Sequence, residues 1–203
     1  MNMHGIADLE IVEFASVLAG PLAANLFSEM GAKVTKIENS RTGGDITRHW
    51  RTASESKDAS VSSYYASANF QKEVIMADLR DPAERERAMR YVDKADVIIS
   101  NFKPNTARKL GVSFEALRQR NAKAVIAELV GYRENPERGA FDVLLQAEAG
   151  YLSMTGHPHS PFAKIPVAMI DILAAHQLRA GILAALYQRL QDGKGKHVEV
   201  DLY

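Results

Sequence analysis

The sequence predicts an α/β domain built on a mostly parallel sheet flanked by helices. Strand-like and helix-like segments alternate along most of the chain, as βαβ units require. The segment 96–100 holds Val97, Ile98 and Ile99 in succession, the pattern of a strand covered on both faces. Several helical segments open at a proline or a capping residue and close at a glycine. The 203 residues are 46% hydrophobic and 25% charged, enough for one large domain and too apolar for wholesale disorder.

Taken in order, residues 9–14 read as a strand. Pro21 suits the first turn of a helix carrying Leu22, Leu26, Phe27 and Met30 on one side and stopping at Gly31. Residues 32–38 alternate Val34 and Ile37 with lysines and form a second strand, so the first three elements make a βαβ unit with parallel strands. Residues 39–63 are polar, with Gly43 and Gly44, and read as a long loop of the kind that often carries function. Residues 74–79 are a third strand. Asp81-Pro82 supplies N-cap and first position of a helix running to about Lys94, and 96–100 is the fourth strand. Residues 104–110 form a short helix stopped by Gly111, and Ser113 caps another through Arg120. Residues 124–129 are a fifth strand. Residues 141–152 read as one helix with Val143, Leu144 and Ala147 inward, and 171–190 as a longer helix ending before Gly193. Residues 196–202 alternate as a last strand, with His197 and Glu199 on one side and Val198 and Val200 on the other. There are no repeats and no low-complexity tract, so residues 1–203 read as one domain.

Composition removes several function classes. The absence of cysteine excludes disulfide scaffolds, cysteine-based zinc sites, iron–sulfur clusters and thiol catalysis. Twenty-five basic residues balance twenty-five acidic ones, which argues against a nucleic-acid partner. Residues 1–10 lack the pattern of a signal peptide, and the apolar stretch 165–175 is interrupted by Pro166 and Asp171 and too short for a bilayer. A cytoplasmic protein without a membrane partner is the expectation. No P-loop, dinucleotide fingerprint or nucleophile elbow is present. His157-Pro158-His159 has no acidic residue at ligand spacing and reads as an exposed loop rather than a metal site.

Asp171 stands out as one carboxylate among Ile170, Ile172, Leu173 and alanines. Such a group is a helix N-cap, a carboxylate held in a dry site, or both. At a helix N-terminus its charge is stabilised by the helix dipole. Gly43-Gly44-Asp45 with Arg41 and Arg48 is either a phosphate-contacting loop or a solvated turn. Lys72, Lys103, Arg108 and Lys109 lie near predicted strand ends, where open α/β sheets bind ligands, although each taken singly reads as surface charge.

Several segments together resemble the class III coenzyme A transferase family, also called CaiB/BaiF. They are Val17-Leu18-Ala19-Gly20-Pro21, Met30-Gly31-Ala32-Lys33-Val34-Thr35-Lys36-Ile37-Glu38, Gly43-Gly44-Asp45-Ile46-Thr47-Arg48, and Ala95-Asp96-Val97-Ile98-Ile99-Ser100-Asn101-Phe102-Lys103-Pro104 with Lys109-Leu110-Gly111. Asp171 follows, then Gly181-Ile182-Leu183-Ala184-Ala185-Leu186 and Gly193-Lys194-Gly195-Lys196. The resemblance implies a Rossmann-like domain that binds CoA, with Asp171 as the nucleophile. In that family the carboxylate attacks an acyl-CoA thioester to form an aspartyl anhydride. The released thiolate converts this to an aspartyl-CoA thioester, and an acceptor acid collects the CoA. The resemblance also implies CoA contacts at Ala19, Asn101, Phe102, Lys109 and Lys72, with Arg41 substituting for a family arginine replaced here by Asn39. Coenzyme A and acyl-CoA enter as substrates, with no tightly bound cofactor and no metal.

Departures from the family pattern narrow the expectation. Leu18 stands where the formyl-CoA transferase branch has glutamine, which argues against oxalate-type chemistry. Ala174 and Ala175 stand where the family often has Thr-Gly or Ser-Gly. Phe141 stands where the 2-methylacyl-CoA racemase branch has a histidine, and a phenyl ring cannot take a proton. CoA transfer is therefore preferred over epimerisation. Family members are about twice as long, form two domains and interlock as dimers. The resemblance thus implies a homodimer or a partner chain supplying the missing half, or a CoA-binding module that does not turn over alone.

Overall fold

The computed structural model describes residues 5–203 except Lys57. Six strands form one sheet: β1 (Glu10–Phe14), β2 (Lys33–Glu38), β3 (Glu73–Met76), β4 (Val97–Ser100), β5 (Val125–Val130) and β6 (His197–Asp201). Every neighbouring pair is parallel, and the order across the sheet is β3-β2-β1-β4-β5-β6. The chain thus starts in the middle, builds outward to β3, then crosses to β4 and builds the other way. This reversal creates a crevice between the carboxyl ends of β1 and β4, the position where open α/β sheets hold ligands.

The helices are α1 (Ala19–Glu29), α2 (Ser63–Ala68), α3 (Pro82–Val92), α4 (Pro104–Leu110), α5 (Phe114–Arg120), α6 (Asp142–Glu148), α7 (Tyr151–Met154) and α8 (Met169–Asp192). Strand alternation divides the core into two layers. Ile11, Val97, Ile99, Val125 and Ala127 face α1 and α8, where Ala24, Phe27, Leu178 and Ile182 are fully buried. Val12, Ile98 and Ile126 face the other way, against Ala88 and Val92 of α3 and Leu117 of α5. Each large aliphatic side chain so buried contributes roughly 1.5–3 kcal/mol. Gly181 lets α8 lie close on β6, since a Cβ there would come within 2.6 Å of Val198 Cγ1.

Local signals place most helix ends where the sequence predicts. Asp81 Oδ1 accepts from the backbone of Ala83 and Glu84 beside Pro82, and Gly111 and Gly193 take left-handed φ at the ends of α4 and α8. Three expectations change. The loop after β2 ends in a helix, α2, because the Ser62 hydroxyl accepts from Tyr65 N and donates to Thr47 O, a partner fifteen residues away. The single helix expected at 141–152 is broken by Gly150 (φ +82°) into α6 and α7. Its buried face holds Leu145 and Gln146, while Val143, Leu144 and Ala147 point outward.

α8 is long and apolar enough by composition to cross a bilayer, with a mean hydropathy of 1.4 over an 18-residue window. Its Ala174, Ala175, Leu178, Ile182 and Ala185 instead pack into the core between α1 and the sheet.

Candidate active site

The crevice at the β1/β4 switch is framed by the turn after β1. Val17 in that turn has φ +71°, a left-handed conformation that a β-branched residue adopts at a cost of about 1–3 kcal/mol. Two side chains hold the turn in place. Asn101, at the end of β4, accepts from Ser16 N at 3.1 Å and donates to Ser16 O at 2.9 Å. Asp45 Oδ2 accepts from Val17 N at 3.1 Å.

Asp45 is anchored by a buried ionic network. Lys36 Nζ lies 3.1 Å from Asp45 and 2.7 Å from Glu13, and it donates to Ala15 O. Lys72 Nζ binds the other Glu13 oxygen at 2.6 Å, with Pro21 O and Asn69 Oδ1 completing its shell. Burial alone lowers both lysines. At Lys36 Glu13 and Asp45 overcome it and the pKa is raised, whereas Lys72 falls to about 8. Burial pushes Asp45 up, but Lys36 and the Thr47 donors hold it below the ordinary range. Alongside, Glu38 binds Arg48 Nε at 2.6 Å, the Tyr65 hydroxyl at 2.6 Å and Asp45 N at 2.9 Å. Fully buried charges persist because each is paired and hydrogen-bonded.

A pocket of about 150 Å³ opens here, lined among others by Ser16, Ala19, Asn101, Phe102, Phe141 and Asp171. Asp171 is the third residue of α8, not its N-cap; that position is Ala168, which has no capping oxygen. Asp142 of α6 supplies the cap, its Oδ2 accepting from Ile170 N at 2.7 Å and Asp171 N at 3.2 Å. Among the described residues no side-chain or backbone donor reaches the Asp171 carboxylate. Burial and then the negative charge of Asp142 push Asp171 up to about 6. Burial, with the nearby Asp142 charge, thus outweighs the lowering expected from the helix dipole.

Two further cavities adjoin the first through the Phe102 ring. One, of about 390 Å³, includes Ser16, Glu38, Gly44, Asp45 and His49. The other, of about 480 Å³, includes Arg41, Asp78, Arg80, Thr106 and Leu110. The structure thus gathers Ala19, Asn101, Phe102 and Asp171 at one pocket and sets Arg41 along the same groove. Lys109 is exposed on the last turn of α4 and lines none of the three. Lys72, expected at a nucleotide, has a side chain that is 0% exposed, and its ammonium donates to Glu13, Pro21 O and Asn69 Oδ1. Arg48 is likewise engaged by Glu38 and Tyr65, so the Gly43-Gly44-Asp45 loop does not offer it as a free cation. His157 and His159 are exposed.

Sequence reasoning missed Asp142, Gln146 and Tyr64. The Tyr64 phenol is raised by burial and by Asp171, Asp142 and Asp45, which puts it within electrostatic reach of the pocket, and Trp50 packs edge-on against it at 5.2 Å.

The model of the family described as CoA-transferase family III matches residues 6–203. The chain belongs to CoA-transferase family III. It is 33% identical to an acyl-CoA transferase of Fusarium pseudograminearum, covering 100% of this chain and 46% of that protein. It is 34% identical to a succinate–glutarate CoA-transferase of Agrobacterium fabrum, covering 97% of this chain and 50% of the relative. Among solved structures, a CAIB/BAIF family protein from Brucella suis superposes with a TM-score of 0.89 at 32% identity, covering 97% of this chain and 53% of that one. Rv3272 of Mycobacterium tuberculosis superposes at 0.85 with 31% identity, over 95% of this chain and 54% of its own. The chain spans about half the length of the curated relatives it matches. The remaining half of each relative lies outside the span that this chain matches.

Proposed function

We propose that this chain is the CoA-binding, nucleophile-bearing half of a CoA-transferase, acting between an acyl-CoA and a carboxylic acid. The observation that carries the reading is a donor-free carboxylate, Asp171, at a pocket on the sheet's switch point. With a pKa of about 6 it is ionised in roughly nine molecules of ten at pH 7. Its basicity exceeds that of an ordinary aspartate, which favours attack on a carbonyl.

In the proposed sequence an Asp171 oxygen bonds to the thioester carbon and the C–S bond breaks, releasing CoA thiolate. The thiolate then attacks the Asp171 carboxyl carbon of the mixed anhydride and the first acid leaves. An acceptor carboxylate attacks the aspartyl thioester, forming a new anhydride, and the returning thiolate takes its acyl group, freeing Asp171. The backbone N–H groups of Ala19 and Gly20 open α1, have no protein acceptor among the described residues, and suit a developing oxyanion. The CoA tail would follow the groove past Phe102 towards Arg41, with Lys109 nearby for phosphate. Asn101 serves by shaping the Ser16 turn, since its amide is already engaged. Phe141, 70% exposed beside the pocket, offers no base, which favours transfer over epimerisation. The reaction's solutes make the cytoplasm the proposed compartment.

The half-length span favours one second reading: the chain binds CoA but needs the missing half, from a second copy or a partner chain, to turn over. Incubation with acyl-CoA and hydroxylamine tests the first. A hydroxamate at Asp171, absent from Asp171→Ala, is the expected result. CoA binding by calorimetry without any adduct favours the second reading, and neither binding nor adduct overturns both.

A further inference from the structure

The α8 N-terminus presents a problem that its own sequence does not solve. A helix start leaves backbone N–H groups without partners, and Ala168 at the N-cap has no oxygen to offer them. The solution comes from α6. Asp142 Oδ2 accepts from Ile170 N and Asp171 N. Gln146, one turn later on the same face, accepts from Ile165 N at 2.9 Å and donates to Val167 O at 3.3 Å and to Asp142 Oδ1. Gln146 is 1% exposed, so this buried amide has its partners in the segment leading to Asp171 and in Asp142 itself.

We infer that Asp142 and Gln146 are positioning residues for Asp171: they grip the backbone leading into α8 and take up its first-turn amides, leaving the nucleophile's carboxylate without a donor. Two consequences follow from the geometry. The Asp171 side chain is held at the pocket by a fixed backbone rather than by hydrogen bonds to its own oxygens. The helix N-terminus, which ordinarily stabilises an anion, is neutralised towards Asp171 by another carboxylate. The groups facing Asp171 are Asp142 from α6 and Tyr64 from α2, with Lys103 and Arg138 on the pocket wall from the segments after β4 and β5. The catalytic meaning of the clamp rests on the CoA-transfer reading; the clamp itself does not.

The test uses the 203-residue chain and needs no CoA. The Asp171 carboxyl carbon, identified with Asp171→Asn, is followed by NMR against pH in wild type and in Asp142→Asn. Asparagine keeps an oxygen acceptor for the two amides but removes the charge, so the midpoint is expected to fall towards the ordinary aspartate range. An unchanged midpoint in the folded variant overturns the inference. In Asp142→Ala, amide exchange at Ile170 and Asp171 is expected to speed up at least tenfold while Leu178 is unaffected; unchanged exchange at the first two also overturns it. If the alanine variant does not fold, the wild-type amide protons of Ile170 and Asp171 decide. They are expected to be protected from solvent exchange by the Asp142 carboxylate that accepts from both, and exchange at the unprotected rate counts against the clamp. A working clamp in a chain that forms no Asp171 adduct sinks the transfer reading alone.

Discussion

Val17 donates its backbone N–H to Asp45 Oδ2 at 3.1 Å, and Asp45 in turn lies 3.1 Å from Lys36 Nζ. A strained turn at the mouth of the pocket is thereby tied to an ionic network with no solvent access. Asp45→Ala removes the acceptor of Val17 and leaves Lys36 with one carboxylate instead of two. Breaking a buried pair this way costs about 3–5 kcal/mol. Urea unfolding is expected to show that loss, and a loss below about 1 kcal/mol would contradict the network's role.

Asn101 grips Ser16 through both atoms of its amide. Asn101→Ala forfeits two part-buried hydrogen bonds, worth roughly 1–3 kcal/mol together. Asn101→Asp keeps the acceptor for Ser16 N but turns a carboxylate on Ser16 O, and is expected to be the worse of the two. Denaturation midpoints of the two variants give the order, and CoA affinity by calorimetry is expected to fall with the turn's integrity.

Asp171 links function to stability. Its folded pKa of about 6 lies above the ordinary 3.8, so the folded state holds the proton more tightly than the unfolded chain. Below pH 3.8 both states are protonated and nothing is lost. As pH rises through the window from 3.8 to about 6 the unfolded chain ionises first, stability falls, and the loss is complete above it. The full loss is on the order of 3 kcal/mol. Asp171→Asn is therefore expected to be more stable than wild type at pH 7 and equal to it below pH 4. Paired thermal or urea melts across that range check the sign; an equal difference at both ends would refute the burial of this charge.

Arg41 and Lys72 separate ligand contact from scaffolding. Arg41 is well exposed on the groove wall, and its only ion pair among the described residues is a loose one, 3.8 Å from Asp78. Arg41→Ala is expected to weaken CoA binding several-fold, less so at high salt, and to leave stability within about 0.5 kcal/mol. Lys72→Met leaves Glu13 with Lys36 alone and is expected to destabilise by about 3–5 kcal/mol. Calorimetry on the folded variant is expected to return near wild-type CoA affinity. A large affinity loss at constant stability for Lys72→Met would restore it as a ligand contact.

What could be read from the chain was what depends on near neighbours. Gly31 and Gly111 end helices because a left-handed residue is needed there, and Asp81-Pro82 and Ser113 start them for reasons contained within three residues. The apolar run at Val97, Ile98 and Ile99 announced a strand covered on both faces, which the two core layers supply. Asp171 drew attention because one charge among aliphatics is rare enough to need a reason. α2 escaped notice because Tyr65 and Ser62 are held by Glu38 and Thr47, which no local pattern connects.

The sequence by itself determined an α/β chain of parallel strands, its punctuation, and one conspicuous carboxylate, because helix stops, caps and strand periodicity are properties of consecutive residues. Only the tertiary structure decided that Lys72 is a buried counter-ion, that Asn101 holds a turn, and that Asp142, 29 residues away, caps the helix of Asp171. Charge and hydrogen-bond satisfaction depend on distance in space, and the folded backbone sets those distances.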